Sequence, residues 1–279
     1  MAEQTKVTTL EKVVIRFSGD SGDGMQLTGT IFSNLSAVFG NEISTFPDYP
    51  AEIRAPQGTL GGVSGFQVHI GKGVHTPGDL ADVLVAMNPA ALKTNARYVK
   101  KGGVVIIDSD SFRTSDLEKA AFTTDDPIQE AGLSHAQIVP VAITQMVKDS
   151  LVDSGLDNKS IVRCKNMFAL GLVCWLFDRP LEQAQHLLKN KFAKKPAIYE
   201  ANAKVMRDGY NYGNNIHASV STYRVESAQV KPGIYTDVNG NTATAWGLIA
   251  ASEKSGLPLF LGSYPRPQIF CMSWPSGKI

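Results

Sequence analysis

The hydrophobic positions of the chain change period in a regular way over its first 150 or so residues. Lys12–Ser18 (KVVIRFS) is a β-branched run of strand character, and it leads directly into the glycine-rich stretch Gly19–Gly24. Met25–Phe39 then places Leu27, Ile31, Leu35 and Val38 on one helical face, with Gly40 positioned as a C-cap. A short strand near Ile43–Phe46, a polar loop and an alternating strand Val63–Ile70 follow. Val83–Met87 and Gly103–Asp108 are short apolar runs suited to parallel strands buried on both faces. Pro89–Val99 between them reads as a helix. Ile138–Ala142 is a further strand, followed by an amphipathic helix through Leu151. Strand and helix in alternation predict an α/β fold with a doubly wound, mostly parallel sheet.

From Ser160 to Asp208 the pattern is helical, with an apolar segment Met167–Phe177 and a break at Arg179-Pro180. Asn211–Asn239 is polar, poor in helix formers and interrupted by Gly and Pro, so it reads as a crossing linker. A second unit then begins, with a helix over Asn241–Ser255 and a strand at Leu257–Leu261. The expected organisation is therefore a domain over 1–210, a linker over 211–239 and the start of another α/β domain over 240–265.

Composition narrows the functional classes. The chain has 279 residues, 43% of them hydrophobic, and a formal net charge of +1. Its basic residues form no stripe or block, so nucleic acid and anionic membrane surfaces are not expected partners. No run of about 18 apolar residues is present, which excludes a spanning helix. Met1–Lys12 lacks an apolar signal core, so a cytoplasmic location is expected. Cys164, Cys174 and Cys271 are widely spaced, form no CxxC pair and fall short of the four thiolates an iron–sulfur cluster usually takes. The first two lie in the helical region and read as buried packing residues. The five histidines show no metal-ligand spacing.

Two segments carry candidate chemistry. The first is GDSGDG, with Gly19, Gly22 and Gly24 between a strand and a helix. Glycines let a ligand approach the backbone, and the helix that follows offers unpaired N–H groups. The spacing is G-x-x-G-x-G, not the dinucleotide G-x-G-x-x-G. The next strand ends in Thr45-Phe46 without a ribose-binding acid, and Asp20 and Asp23 oppose a pyrophosphate. An NAD-dependent dehydrogenase is thus disfavoured, while a tight turn required by the fold and a contact with another ligand or partner both remain open. The second segment is the loop Asp48–Leu60, in which Glu52 and Arg54 flank Ile53. Arg54 suits bidentate recognition of a phosphate or carboxylate, and equally a surface ion pair.

FSGDSGDG followed by MQLTGTIFSNLSAVFG, then FPDYPAEIRAPQGTLGGVSGFQVHIG, resembles the gamma domain of 2-oxoacid:ferredoxin oxidoreductases, in particular the 2-oxoglutarate type. In that type the domain is fused ahead of the alpha portion. LVAMNPAAL, Gly102–Asp108 and Lys165–Phe177 match in the same order, and Gly240–Pro265 resembles the opening of the pyrimidine-type thiamine-diphosphate domain. The resemblance implies CoA-dependent oxidative decarboxylation of a 2-oxoacid, with ferredoxin as electron acceptor. It also implies a beta-subunit partner that carries the thiamine diphosphate–Mg2+ end and a [4Fe-4S] cluster. The gamma domain is associated with the CoA end, which makes Gly19, Gly22, Gly24, Glu52 and Arg54 the candidate cofactor-binding positions. A stand-alone module that binds CoA or a partner without redox activity is the alternative.

The resemblance stops at Tyr264-Pro265, where the family continues Ile-Thr-Pro with a threonine near the substrate carboxylate, and this chain reads RPQIFCMSWPSGKI. Joining the third base of each codon to the first two of the next allows Gln268–Ile279 to become Asp-Ile-Leu-His-Glu-Leu-Ala-Lys-Arg-Lys-Asn, the continuation the family leads one to expect. Residues 266–279 therefore read as out-of-frame sequence, and a chain of this extent is expected to be inactive alone.

Overall fold

The computed structural model describes residues 7–51, 55–216, 222–228, 231, 233–236 and 238–260. Its strands are β1 (Val7–Leu10), β2 (Lys12–Asp20), β3 (Glu42–Asp48), β4 (Val63–Gly71), β5 (Ala81–Ala86), β6 (Val99–Asp108), β7 (Gln137–Val141) and β8 (Thr222–Val225). The helices of the first half are α1 (Met25–Val38), α2 (Pro89–Asn95), α3 (Thr114–Lys119), α4 (Pro127–Glu130) and α5 (Ile143–Ser150). Those of the second half are α6 (Asn158–Val162), α7 (Lys165–Leu176), α8 (Glu182–Lys191), α9 (Pro196–Ile216) and α10 (Gly240–Ser255).

Six strands form one sheet in the order β3-β4-β2-β5-β6-β7. Pairing is parallel from β2 through β7, and β4 runs antiparallel to both its neighbours. The fold is thus α/β with a mostly parallel sheet, as expected. Alternate strand residues face opposite sides. Ile15, Phe17, Val83, Val85, Val104 and Ile106 join α1, α5, α7, α8 and α9 in one core. Leu84, Ala86, Val105 and Ile107 join α2 and α3 in the other. Helices cover both faces, which defines a doubly wound sheet.

α7 is apolar all round, and 11 of its residues, Asn166 to Leu176, are buried, as a helix without a polar face must be. α9 runs through Ile216, into the stretch that reads as a linker. Its Gly213 lies so close to the Trp175 ring that a β-carbon would collide with it. Packing of this kind overrides the weak helix propensity of Asn211–Asn215. Thr222–Val225, in the same stretch, pairs in parallel with β1.

The chain divides into two compact units, Met1–Val230 and Lys231–Ile279. In the second, α10 is N-capped by Asn239, whose side chain accepts from the Thr242 N–H at 2.9 Å. It ends at Gly256 in the left-handed conformation. Leu257–Phe260 forms no strand, since a lone segment has no ladder to join; Leu261 lies outside the described residues.

Candidate functional site

β2 connects through α1 toward β3 on one side of the sheet, and β5 connects through α2 to β6 on the other. The carboxyl ends of β2 and β5 are therefore the switch point, where open α/β sheets leave a crevice for ligands. The turn Gly19–Gly24 and Asn88, the N-cap of α2, sit there. The sheet end thus explains why glycines lie at this place in the sequence.

The turn is tightly clasped. Gly24 adopts φ +81° at the start of α1, and a β-carbon there would run into the Asn166 amide at the start of α7. Only glycine meets both demands. Gly22 has φ +106°, and a β-carbon on Gly19 would lie 2.9 Å from Asp23 Oδ2. That carboxylate accepts the Asp20 N–H at 3.0 Å and pairs with Lys165 Nζ at 3.4 Å. Asn166 Nδ2 donates to the Gly24 carbonyl at 3.3 Å.

Asp20 is the electrostatic peculiarity of the turn. It is 9% exposed, its Oδ2 accepts the Gly58 N–H at 3.0 Å, and its Oδ1 is buried without a hydrogen-bond partner. Burial holds its pKa above the usual aspartate range, and the Asp23 charge adds to this. Asn88, the Gly58 amide and Lys165 offset part of the effect, although Asn88 closes no hydrogen bond to Oδ1. Asn166 Oδ1 is a second buried acceptor without a partner. A turn with two such acceptors and two carboxylates against one lysine suits hydrogen-bond donors better than phosphate oxygens.

Of the sequence candidates, Gly19, Gly22 and Gly24 come together at the switch point, while Glu52 and Arg54 lie outside the described residues. Sequence reasoning missed a polar cluster on the same strand. Arg16, 5% exposed, donates to Asn95 Oδ1 at 2.5 Å, Gln67 Oε1 at 3.0 Å and Asp48 Oδ2 at 2.5 Å. Its guanidinium lies 4.9 Å from the centre of the Tyr98 ring. Asp48, at the end of β3, is thereby tied to the middle of the sheet just before the Glu52–Arg54 loop. The signal for this cluster was a lone arginine in an otherwise apolar strand.

Cys164 and Cys174 are buried, as expected, and burial pushes their thiols up to about 11 and about 12. Both side chains pack in the apolar core. Cys271 lies outside the described residues. Among the described residues no group of His, Cys, Asp or Glu is arranged to hold a metal ion. No described helix is long and apolar enough to cross a membrane.

Fold and switch-point turn together define a doubly wound α/β domain of the kind found in oxidoreductase gamma subunits. A family model described as pyruvate ferredoxin/flavodoxin oxidoreductase matches residues 14–212, more than half the chain, and the chain belongs to this family. The 2-oxoglutarate oxidoreductase subunit KorA of Mycobacterium tuberculosis (strain ATCC 25618 / H37Rv) is 48% identical over 257 residues. That match covers 92% of this chain and 39% of KorA, so the chain spans about two fifths of this curated relative. A solved 2-oxoglutarate:ferredoxin oxidoreductase from Magnetococcus marinus, with 2-oxoglutarate, coenzyme A and succinyl-CoA bound, shares the fold. It has a TM-score of 0.67 and 24% identity over 86% of this chain and 37% of its own. The keto/oxoacid ferredoxin oxidoreductase gamma subunit from Geobacter sulfurreducens PCA matches at a TM-score of 0.52 and 23% identity, over 73% of this chain and 99% of its own.

Proposed function

We propose that this chain is the gamma-type portion, with the opening of the alpha portion, of a CoA-dependent 2-oxoglutarate:ferredoxin oxidoreductase. The observation that carries the reading is 48% identity to KorA over 257 residues. In this reading the gamma domain, expected over 1–210, extends through α9 and β8 into the stretch 211–239 expected as a linker, and 240–265 is the start of a pyrimidine-binding domain, with 266–279 out of frame. Thiamine diphosphate supplies the electron sink for decarboxylation when bound to the assembled enzyme. The three cysteines of the sequence fall short of the four thiolates that a [4Fe-4S] cluster usually takes, so in this reading the cluster and the Mg2+–diphosphate end fall to a beta subunit.

What this chain contributes is the switch-point crevice beside the CoA path. Gly19, Gly22 and Gly24 keep the turn close to the sheet end, Asp20 ties the turn to Gly58, and Glu52 and Arg54 follow Asp48, which Arg16 anchors. Activity belongs to the assembled enzyme in the cytoplasm and not to this span alone. The test supplies a beta subunit and the alpha portion that KorA has beyond this span, then follows reduction of ferredoxin or a viologen dye. Turnover should require 2-oxoglutarate and CoA together. Equal turnover without CoA, or by this chain alone, would refute the reading.

A further inference from the structure

Arg179 is buried at 4% exposure, yet no carboxylate among the described residues lies within ion-pair distance of it. Asp178, its neighbour in sequence, is turned outward to Arg224 at 3.3 Å. Burial lowers the Arg179 pKa, so its charge is held at a cost. What surrounds it is the ends of two helices. Its backbone N–H closes the C-terminus of α7 on the Cys174 carbonyl at 2.7 Å. Its guanidinium lies 4.9 Å from the centre of the Phe39 ring, and Phe39 caps the C-terminus of α1. Helix C-termini carry partial negative charge, which lets a cation stand here without a carboxylate.

The same guanidinium reaches a third element. Arg179 donates to Asn41 Oδ1 at 2.5 Å, and Asn41 Nδ2 donates to the Glu226 carbonyl at 2.8 Å. The Ala228 N–H donates to the Gly40 carbonyl at 2.8 Å, and Val225 and Ala228 are buried. Tyr223 packs on Phe177 with ring centres 5.7 Å apart. The segment Thr222–Ala228, through which the chain leaves the first unit, is therefore strapped onto the caps of α1 and α7.

We infer that Arg179 and Asn41 form a clasp whose role is to fix this strap, and with it the point from which the chain leaves the first unit, rather than to stabilise the core. An apolar side chain of similar length would pack in the same place without the desolvation cost. A positioning role and a core role thus make different demands.

Hydrogen exchange of the full chain separates them. Arg179→Met should speed exchange over Tyr223–Ala228 by about tenfold, the worth of one net hydrogen bond. Protection of β2, β5 and β6 should not change, because the lost hydrogen bond belongs to the strap and not to the sheet. A fall in melting temperature with faster exchange throughout the sheet would overturn the inference, as would an unchanged strap. Asn41→Ala breaks the same link while leaving the Arg179 charge in place. If Arg179→Met does not fold, Asn41→Ala decides: a loosened strap over an intact sheet supports the clasp, and an unchanged strap refutes it.

Discussion

Arg16 and Asp20 lie on the same strand, both charged and both buried, and the fold treats them in opposite ways. Arg16 meets three side-chain acceptors and a tyrosine ring. Asp20 meets one backbone donor, keeps one oxygen without a partner and sits beside a second carboxylate. The first arrangement is what a structural charge needs, since every lost contact with water is replaced. The second leaves a buried carboxylate oxygen without a donor at the carboxyl end of the strand. The difference separates a buried charge whose contacts hold the fold from one whose burial costs stability.

The largest expected effect breaks the structural side of this contrast. Arg16→Met leaves Asp48, Gln67 and Asn95 without their common donor and should cost about 3 kcal/mol in urea denaturation, at the low end for a broken buried pair because Asp48 is half exposed. A loss below about 1 kcal/mol would show that the cluster is not structural. Gly24→Ala comes next. It forces a left-handed conformation on alanine and pushes into Asn166, which should cost about 2 kcal/mol, read from the melting curve.

Asp20→Asn should act the other way, gaining about 1 kcal/mol at pH 7 by removing a buried charge while an amide oxygen still accepts from Gly58. The sign follows from the raised pKa. The folded state binds the Asp20 proton more tightly than the unfolded state, so this stabilisation is complete below the unfolded pKa. It is lost as pH rises through the folded pKa. The advantage of Asp20→Asn should therefore shrink as pH falls; an advantage that grows on acidification would contradict the assignment.

The smallest effect is expected at the surface. Glu130 is held down at about 2, first by Lys93 and then by the Thr123 and Thr124 N–H groups and the Thr123 hydroxyl. Its contribution is present above the ordinary glutamate range and lost as pH falls toward that value. Glu130→Gln should flatten this part of the stability–pH curve, with a small loss of stability in the neutral range that vanishes on acidification.

The sequence made the β2–turn–α1 unit legible because a β-branched run, three glycines and a helical period stand side by side. The buried strands β5 and β6 were legible for a similar reason, as short apolar runs. The Arg16 cluster was not, because its partners Asp48, Gln67 and Asn95 come from three separate elements and no local period joins them. The antiparallel course of β4 was also hidden, since a strand's own residues do not fix its direction. α9 outran its sequence signal because Gly213 packs against Trp175, a contact between residues far apart in the chain. In the sequence Asp20 and Asp23 read only as groups that oppose a pyrophosphate; the Gly58 amide that meets Asp20 comes from a distant loop.

The central claim is that this switch point serves a CoA-using oxidoreductase and not a nicotinamide-dependent one. Calorimetric titration of the assembled enzyme, with the alpha portion completed and a beta subunit supplied, with CoA and, separately, with NAD tests it most directly. The account predicts saturable binding of CoA and no measurable binding of NAD. Tight NAD binding with no response to CoA would contradict it.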